Sequence, residues 1–409
     1  MTSVPDGSAV DTDAPSPSLR LVTIAVVYGA LAGVVAGLTY LLTGLLSDLV
    51  WSVSDARWYV FVAILVGGIL LAVLRPSLDA STIDLQIAES ADPRAVRWRR
   101  TAVLAAAAVI AVGFGGAIGP EAGLLAVVAE LSALVSHAIA RNHAEEQLIG
   151  RSGSAAALAG LYGSPPGAAA YDDDALSPPK ALPFLAAIAG FATFLATVRA
   201  LGHGGVDLGL PAYDLDTALD LLRAVLPAAL AAVVAYAYLH ARPQVAAALG
   251  RVGTPRAQTL VGTLVFAALA TAWPLLRFSG HEEFVDVVEL ADESAWFALA
   301  ALALAKLLAT AICVSSGWLG GEFFPLMFAG AAAGAATLAL VPGLEVTAAM
   351  AAGVGAATAI GLRKPLAALL ISALLLGGLG LAPLMIGVAV AVAALRAFPL
   401  PEGMRAGAH

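Results

Sequence analysis

Long runs of alanine, valine, leucine and glycine alternate with short polar stretches along this chain. Leu21–Val50, Trp58–Leu74, Thr101–Ile118, Pro183–Ala200, Leu221–Leu239, Gln258–Leu276 and Ala295–Val314 carry almost no charge. Each approaches or exceeds the roughly 20 residues a helix needs to cross a hydrocarbon core. From Val346 to Leu395 the chain is again nearly all apolar, interrupted at Gly361-Leu-Arg-Lys-Pro365. Backbone polar groups in lipid must be satisfied within the segment, which predicts helices here. The expected fold class is an all-α polytopic membrane protein.

The runs are broken in a patterned way. Gly119-Pro120, Pro165-Pro166, Gly320-Gly321 with Pro325, and Pro365 all fall within or beside membrane-length segments. Proline favours the first turn of a helix and pushes the preceding residue out of α geometry, so each break marks a helix start inside the bilayer. The breaks recur. "GGAIGPEAG" around Pro120 is echoed by "GGEFFP" around Pro325, 205 residues later, and "LAGLYGSPPGAAA" around Pro165 by "TAIGLRKPLAALL" around Pro365, 200 residues later. Two offsets near half the chain length predict two related halves. The expected organisation is a polar tail over 1–19, a first transmembrane repeat over 20–200, a second over 201–396 and a short tail over 397–409 with no cytoplasmic regulatory domain. Paired interrupted helices in corresponding positions point to a transport site where the repeats meet.

Composition agrees with a bilayer as the solvent. Of 409 residues, 60% are hydrophobic and only 12% charged, against roughly 25% charged in soluble domains. The formal charge of −8 is modest, and its acids concentrate in the tail, at Asp172–Asp174 and over His281–Glu293, read as solvated loops. No basic patch interleaved with aromatics suggests nucleic acid. The single cysteine, Cys313, excludes an intrachain disulfide. Arg75, Arg94, Arg97, Arg99 and Arg100 crowd the segment between the second and third long runs. The positive-inside rule makes that segment cytoplasmic, and with it the amino terminus of a multi-pass plasma-membrane protein.

The breaks also carry the candidate chemistry. A helix that begins inside the membrane aims free N–H groups and the positive end of its dipole at one point, and several such ends make an anion site without a fixed positive charge. Candidate donors cluster at Gly119–Glu121, at Gly321–Phe323 and around Ser81 in "DASTIDLQ". A glutamate at that depth needs an environment or a task. At a helix start, the Glu121 carboxylate would compete with a transported anion for the same N–H groups and release them on protonation, acting as a gate, a proton carrier or both. The other reading is a glutamate that merely caps backbone donors.

These residues resemble the CLC family of chloride channels and chloride–proton antiporters. Gly119-Pro120-Glu121-Ala122-Gly123 is similar to the family's G-R/K-E-G-P, which puts Glu121 at the gating position. Gly320-Gly321-Glu322-Phe323-Phe324-Pro325 matches G-G-x-F-x-P without a gap, and Ala80-Ser81-Thr82-Ile83-Asp84 keeps the serine and isoleucine of G-S-G-I-P. The resemblance runs from about Leu21 to Leu395. It implies a CLC-type fold of tilted, partly broken helices in two inverted-topology repeats, a homodimer with one pore per subunit, and chloride as the transported ligand with no cofactor. The anion would be bound by Ser81, Ile83, Gly119, Pro120, Gly321, Glu322 and Phe323. Protons would be exchanged through Glu121 if the protein is an antiporter. The family's second, inward-facing glutamate falls by count on Ala175, which leaves Asp174 as a candidate inner proton acid. The family's pore tyrosine has no counterpart; Pro401 stands near its place.

Rival readings are a fluoride-selective protein, another broken-helix secondary transporter, and an intramembrane enzyme using Glu121 with Asp172–Asp174. No recognisable metal set or nucleophile–base pair favours the last of these. Glu130 and Lys306 lie in apolar runs, where packing or snorkelling explains them. His137, His143, His203 and His281 show no metal-binding spacing.

Overall fold

A computed structural model describes residues 18–77, 98–176, 180–202, 208–213, 215 and 217–400. The first half holds α1 (Leu19–Trp51), α2 (Arg57–Leu74), α3 (Trp98–Gly113), α4 (Glu121–Ile139), α5 (His143–Tyr162), α6 (Pro165–Ala170) and α7 (Ala181–Ala200). After the short α8 (Ala218–Arg223), the second half holds α9 (Val225–Gly250), α10 (Pro255–Ala272), α11 (Phe284–Asp292), α12 (Trp296–Ser316), α13 (Phe323–Ala335), α14 (Val346–Leu362), α15 (Pro365–Leu375) and α16 (Leu381–Ala397). Among the described residues, seven helical segments are long and apolar enough to cross a membrane.

The halves repeat each other in packing. In the first, α1 packs on α3, α4, α5 and α7; in the second, α9 packs on α12, α13, α14 and α16. The pairs α3–α4, α4–α5, α5–α6, α5–α7 and α6–α7 return as α12–α13, α13–α14, α14–α15, α14–α16 and α15–α16. Two contacts join like to like across the halves, α2 on α10 and α6 on α15. The correspondence reaches single dihedral angles. Helix α5 ends on Gly163 at φ 61°, ψ 16°, and α14 ends on Arg363 at φ 58°, ψ 27°. The next residues, Ser164 and Lys364, sit at φ −132° and −131°, and Pro165 and Pro365 then open α6 and α15. A proline cannot continue the preceding helix but suits the first position of the next, so both chains turn alike.

Burial follows depth in the bundle. Every residue of α13 is buried, as is α14 from Thr347 to Gly361. The outer helices expose leucine and valine instead, including Leu42, Val66, Val233 and Leu264. That distribution suits a hydrocarbon surround. Small residues let the inner helices approach closely; a Cβ added at Gly330 or Gly353 would meet the backbone of the other.

Three expectations change in detail. The apolar run Thr101–Ile118 is helical only to Gly113, because the chain must turn into the Gly119 break. The stretch His281–Glu293 is no solvated loop: it contains α11, with Phe284 and Val287 fully buried. Lys306 does not snorkel to the surface. It is fully buried, and its ammonium donates to the carbonyls of Leu275 (2.9 Å) and Arg277 (2.8 Å), fastening the loop before α11.

Candidate functional site

Two irregular segments, Phe114–Pro120 before α4 and Gly317–Glu322 before α13, meet at the middle of the bundle. Gly119 donates its N–H to the Gly321 carbonyl at 2.8 Å, and Gly321 donates back to Gly119 at 3.0 Å, an antiparallel bridge that joins the breaks of the two halves. Neighbouring elements pin both segments. Thr310 of α12 donates to the Ala117 carbonyl (2.9 Å), Phe278 donates its N–H to Gly115 (3.0 Å), and the Trp318 indole donates to Thr263 of α10 (3.0 Å). Non-helical backbone at this depth is tolerable because protein surrounds it and pairs it.

Beyond the bridge the two helices begin. Pro120 caps α4, and Glu121 is its first residue. Glu121 is completely buried. One carboxyl oxygen, Oε1, accepts a hydrogen bond from the Tyr162 hydroxyl at 3.2 Å; the other, Oε2, has no side-chain hydrogen-bond partner among the described residues. The carboxyl fills the space over the two bridging glycines, since a Cβ built on either Gly119 or Gly321 would collide with it. Glycine is required at both positions for that close approach. A carboxyl buried without a countercharge is costly, so it needs an environment or a task.

The second acid at this junction behaves differently. Glu322 is the N-cap of α13 and faces Arg242 of α9, with Oε1 at 3.1 Å and Oε2 at 3.4 Å from the guanidinium. Its carboxylate is thereby neutralised, while its backbone and that of Phe323 stay at the start of α13, where helix N–H groups lack intrahelical partners. Phe323 and Phe324 pack on the Tyr162 ring at 4.8 and 5.7 Å between centroids, walling the site on the side of α5.

Of the residues expected from sequence, Gly119, Pro120, Glu121, Gly321, Glu322 and Phe323 come together here. Ser81 and Ile83 lie outside the described residues. Asp174 sits elsewhere: its Oδ1 accepts a hydrogen bond from the N–H of Ala367 (2.7 Å) in the first turn of α15. Asp172 and Asp173 both pair with Lys180. Among the described residues, no group of His, Cys, Asp or Glu is arranged to hold a metal ion. Tyr162 and Arg242 were not expected. Tyr162 was visible only as the aromatic before the Pro165 break, and nothing in the spacing of Arg242 announces that it meets a residue 80 positions later.

Known proteins place the fold. Two relatives named YfeO, whose name places them in ion transport, from Escherichia coli (strain SMS-3-5 / SECEC) and Escherichia fergusonii, are each 26% identical over 239 residues, covering 56% of this chain and 56% of the relative. The chain thus aligns with little more than half the length of these curated relatives. Among solved structures, a CLC-type fluoride/proton antiporter superposes with a TM-score of 0.74 at 20% identity, covering 92% of this chain and 96% of the other. A slow cyanobacterial Cl-/H+ antiporter superposes at 0.75 with 18% identity, covering 92% and 95%. At such identities the structures establish the fold. The sequence profile described as Voltage gated chloride channel matches residues 63–396, most of the chain. The chain belongs to the voltage-gated chloride channel family, as a helical, multi-pass membrane protein.

Proposed function

We propose that the protein moves chloride across the plasma membrane past the Gly119–Gly321 bridge, with Glu121 as a protonatable gate. The observation that carries this reading is the Glu121 carboxyl itself. It is fully buried over two glycines where two helices begin, with one oxygen unpartnered. A carboxylate and a halide are interchangeable occupants of such a position, because both are small anions that accept from helix-start N–H groups. When ionised, Glu121 holds the gap shut. A proton removes its charge, weakens its claim on those donors and lets it yield to the anion. The N–H groups of Glu322 and Phe323, with Ser81 and Ile83, then line the anion's path. Arg242, the cation that meets Glu322 at this helix start, is paired with its carboxylate, which suits an ion that must leave as readily as it arrives. The protein works as a homodimer with its amino terminus in the cytoplasm, and nothing in this scheme calls for a cofactor.

A second reading is favoured by the fluoride/proton antiporter among the structural neighbours: the same gate with fluoride as the anion. Purified protein in liposomes, loaded with chloride or fluoride and monitored with ion-selective electrodes, decides between them. The expected result is chloride efflux with coupled proton uptake in the wild type. Glu121→Gln should retain chloride efflux and reduce proton uptake by about a hundredfold or more. Efflux of neither halide from either form would overturn the reading, and fluoride efflux alone would replace chloride with fluoride.

A further inference from the structure

Arg75 opens the single 3₁₀ turn, Arg75–Ser77, that ends α2 and packs on α10. It is half-buried, and its guanidinium lies against Gly317, the left-handed residue at φ 90° that ends α12. A Cβ built on that glycine would come within 2.7 Å of Nε and 2.9 Å of Cζ. Nε is buried without a hydrogen-bond partner. Among the described residues no carboxylate acts on this charge. Other cations set into the bundle are matched: Arg20 holds Glu145, Arg242 holds Glu322, Lys180 holds Asp172 and Asp173, and Lys306 holds two carbonyls.

The ordinary task of an arginine at a helix end is to cap its last carbonyls. Those of α12 have other donors. The Cys313 carbonyl accepts from the N–H of Trp318 (2.9 Å) and from the Ser316 hydroxyl (3.1 Å), that of Val314 from the N–H of Gly317 (3.3 Å), and that of Ser316 from the Thr259 hydroxyl (2.6 Å). The negative pole of α12 favours a cation there without consuming its N–H groups. Gly317 is also the first residue of the segment that leads to the bridge. Four steps of chain, at most about 14 Å, take it to Gly321, and α13 starts two residues beyond that glycine. An uncompensated guanidinium therefore stands beside the approach to the gap that Glu121 fills.

We propose that Arg75 is the capture site at the inner mouth of the anion path, where a small anion first exchanges water for protein. The proposal rests on the reading of Glu121 as the gate and adds where the anion enters. Arg75 belongs to the basic group that the positive-inside rule sets in the cytoplasm, so capture acts on anions arriving from that side. A guanidinium is always charged and weakly hydrated, and a cation with no carboxylate to satisfy raises the local concentration of anions. Half-buried and screened, it holds the ion weakly enough to pass it on. The next donors are the N–H groups of Glu322 and Phe323, where Arg242 has already neutralised the Glu322 carboxylate.

The test measures initial chloride efflux against lumenal chloride, with the full chain reconstituted at low density. Capture of the vesicles on a carboxyl-terminal tag sorts them by orientation, so each face of the protein meets the lumen in one fraction. Arg75→Gln should raise the half-saturating chloride concentration by about fivefold in one fraction, the worth of a contact pair in water, and leave it unchanged in the other. Its maximal efflux should stay at the wild-type value. Arg75→Lys keeps the charge and should remain within about twofold of wild type. Added sodium gluconate should raise the half-saturating concentration of the wild type and not that of Arg75→Gln, because salt screens an exposed charge. Vesicles of phosphatidylcholine alone remove anionic headgroups, the other anions a guanidinium at a helix end can hold.

A shift seen only with anionic lipid would overturn capture in favour of a lipid anchor. So would an Arg75→Gln protein that melts like the wild type and keeps its half-saturation in both fractions. A fall in maximal efflux at unchanged half-saturation would overturn it too, since a lost packing contact acts that way. A wild type indifferent to gluconate would do the same, whether or not Arg75→Gln folds. A wild type that carries no halide would instead overturn the gate reading beneath it.

Discussion

The two helix starts at the centre of this protein use the same parts to opposite effect. Each places a glycine on the shared bridge, Gly119 in one half and Gly321 in the other, and each follows it with a glutamate. The first glutamate comes two residues after its bridging glycine and is the first residue of α4; the second comes one residue after and is the cap of α13. That shift of one residue turns the side chains in different directions. Glu121 folds back over the bridge into a buried gap beside the Tyr162 hydroxyl, whereas Glu322 leaves the bridge and meets Arg242. An ion-paired carboxylate is held in place; with Glu121 read as the gate, the acid that lacks a countercharge is the one left to move. On that reading, mobility comes from the missing countercharge rather than from the acid.

Filling the space that makes Glu121 movable should have the largest effect. In Gly321→Ala the new methyl group stands where the Glu121 carboxyl rests, and where an anion would follow it. Chloride efflux should fall by about two orders of magnitude, the scale on which displacing a reacting group by about 1 Å is felt in other proteins. Glu121→Ala, which empties the same space, should keep efflux and lose its dependence on pH. Equal efflux from Gly321→Ala and the wild type would show that the gap over the bridge is not on the anion's path.

A smaller effect is expected from making the fixed acid resemble the movable one. Arg242→Ala leaves Glu322 charged and uncompensated beside the start of α13. At an effective dielectric of about 20, a bare charge roughly 10 Å away raises the energy of an anion by about 1.7 kcal/mol, somewhat more than tenfold in occupancy. Chloride efflux should drop by about that factor and return when Glu322→Gln is added in the same chain, a non-additivity expected of an interacting pair. If the double variant stays as slow as Arg242→Ala, the arginine matters through packing instead of charge.

Much of this was legible in the sequence, for definite reasons. Hydrophobic runs report helices because lipid leaves the backbone no other partner, and prolines report helix starts because their geometry admits little else. The breaks around Pro120 and Pro325 and the pair Pro165/Pro365 were therefore readable from local chemistry alone, whereas the bridge between Gly119 and Gly321 was not. The partners of the two glutamates were not. Tyr162 reaches Glu121 across 41 positions and Arg242 reaches Glu322 across 80, and tertiary packing chooses such pairs without leaving a period in the chain. The partner of Asp174 was equally hidden: at a left-handed turn of φ 55°, its carboxylate meets the start of α15. For Lys306, of the two readings offered, packing holds and snorkelling does not, because two turn carbonyls can solvate an ammonium as well as an interface can.

At the outer ends of the bundle the halves differ again, and the smallest effect should be measurable there. Arg20, at the start of α1, donates through Nε (3.0 Å) and through a second guanidinium nitrogen (3.0 Å) to Glu145 in the first turn of α5. In the second half Arg223, just before α9, donates to the Gly343 carbonyl at 3.2 Å and, within α8, to the Asp220 carboxylate at 3.0 Å, and Glu345, which caps α14, makes no side-chain cap hydrogen bond. The bond that crosses to another helix therefore ends on a titrating group in the first half and on a carbonyl in the second. The Arg20 guanidinium, joined by the Arg141 N–H, holds the Glu145 carboxyl down to about 2. Because the folded value lies below the roughly 4.3 of an unfolded glutamate, the link stabilises the fold fully above that range and is lost as pH falls toward about 2. Melting of detergent-solubilised Arg20→Ala should be lower than wild type by a few degrees at neutral pH, since partly exposed ion pairs contribute little. The gap should close on acidification. In a chain that already carries Asp220→Asn, Arg223→Ala should lower melting by an amount that stays constant over the same acid range, because the remaining carbonyl partner does not protonate. A gap between Arg20→Ala and wild type that widens in acid would mean that Glu145 stabilises the fold as a neutral hydrogen-bonding group, and the two ends would then differ in geometry rather than in charge.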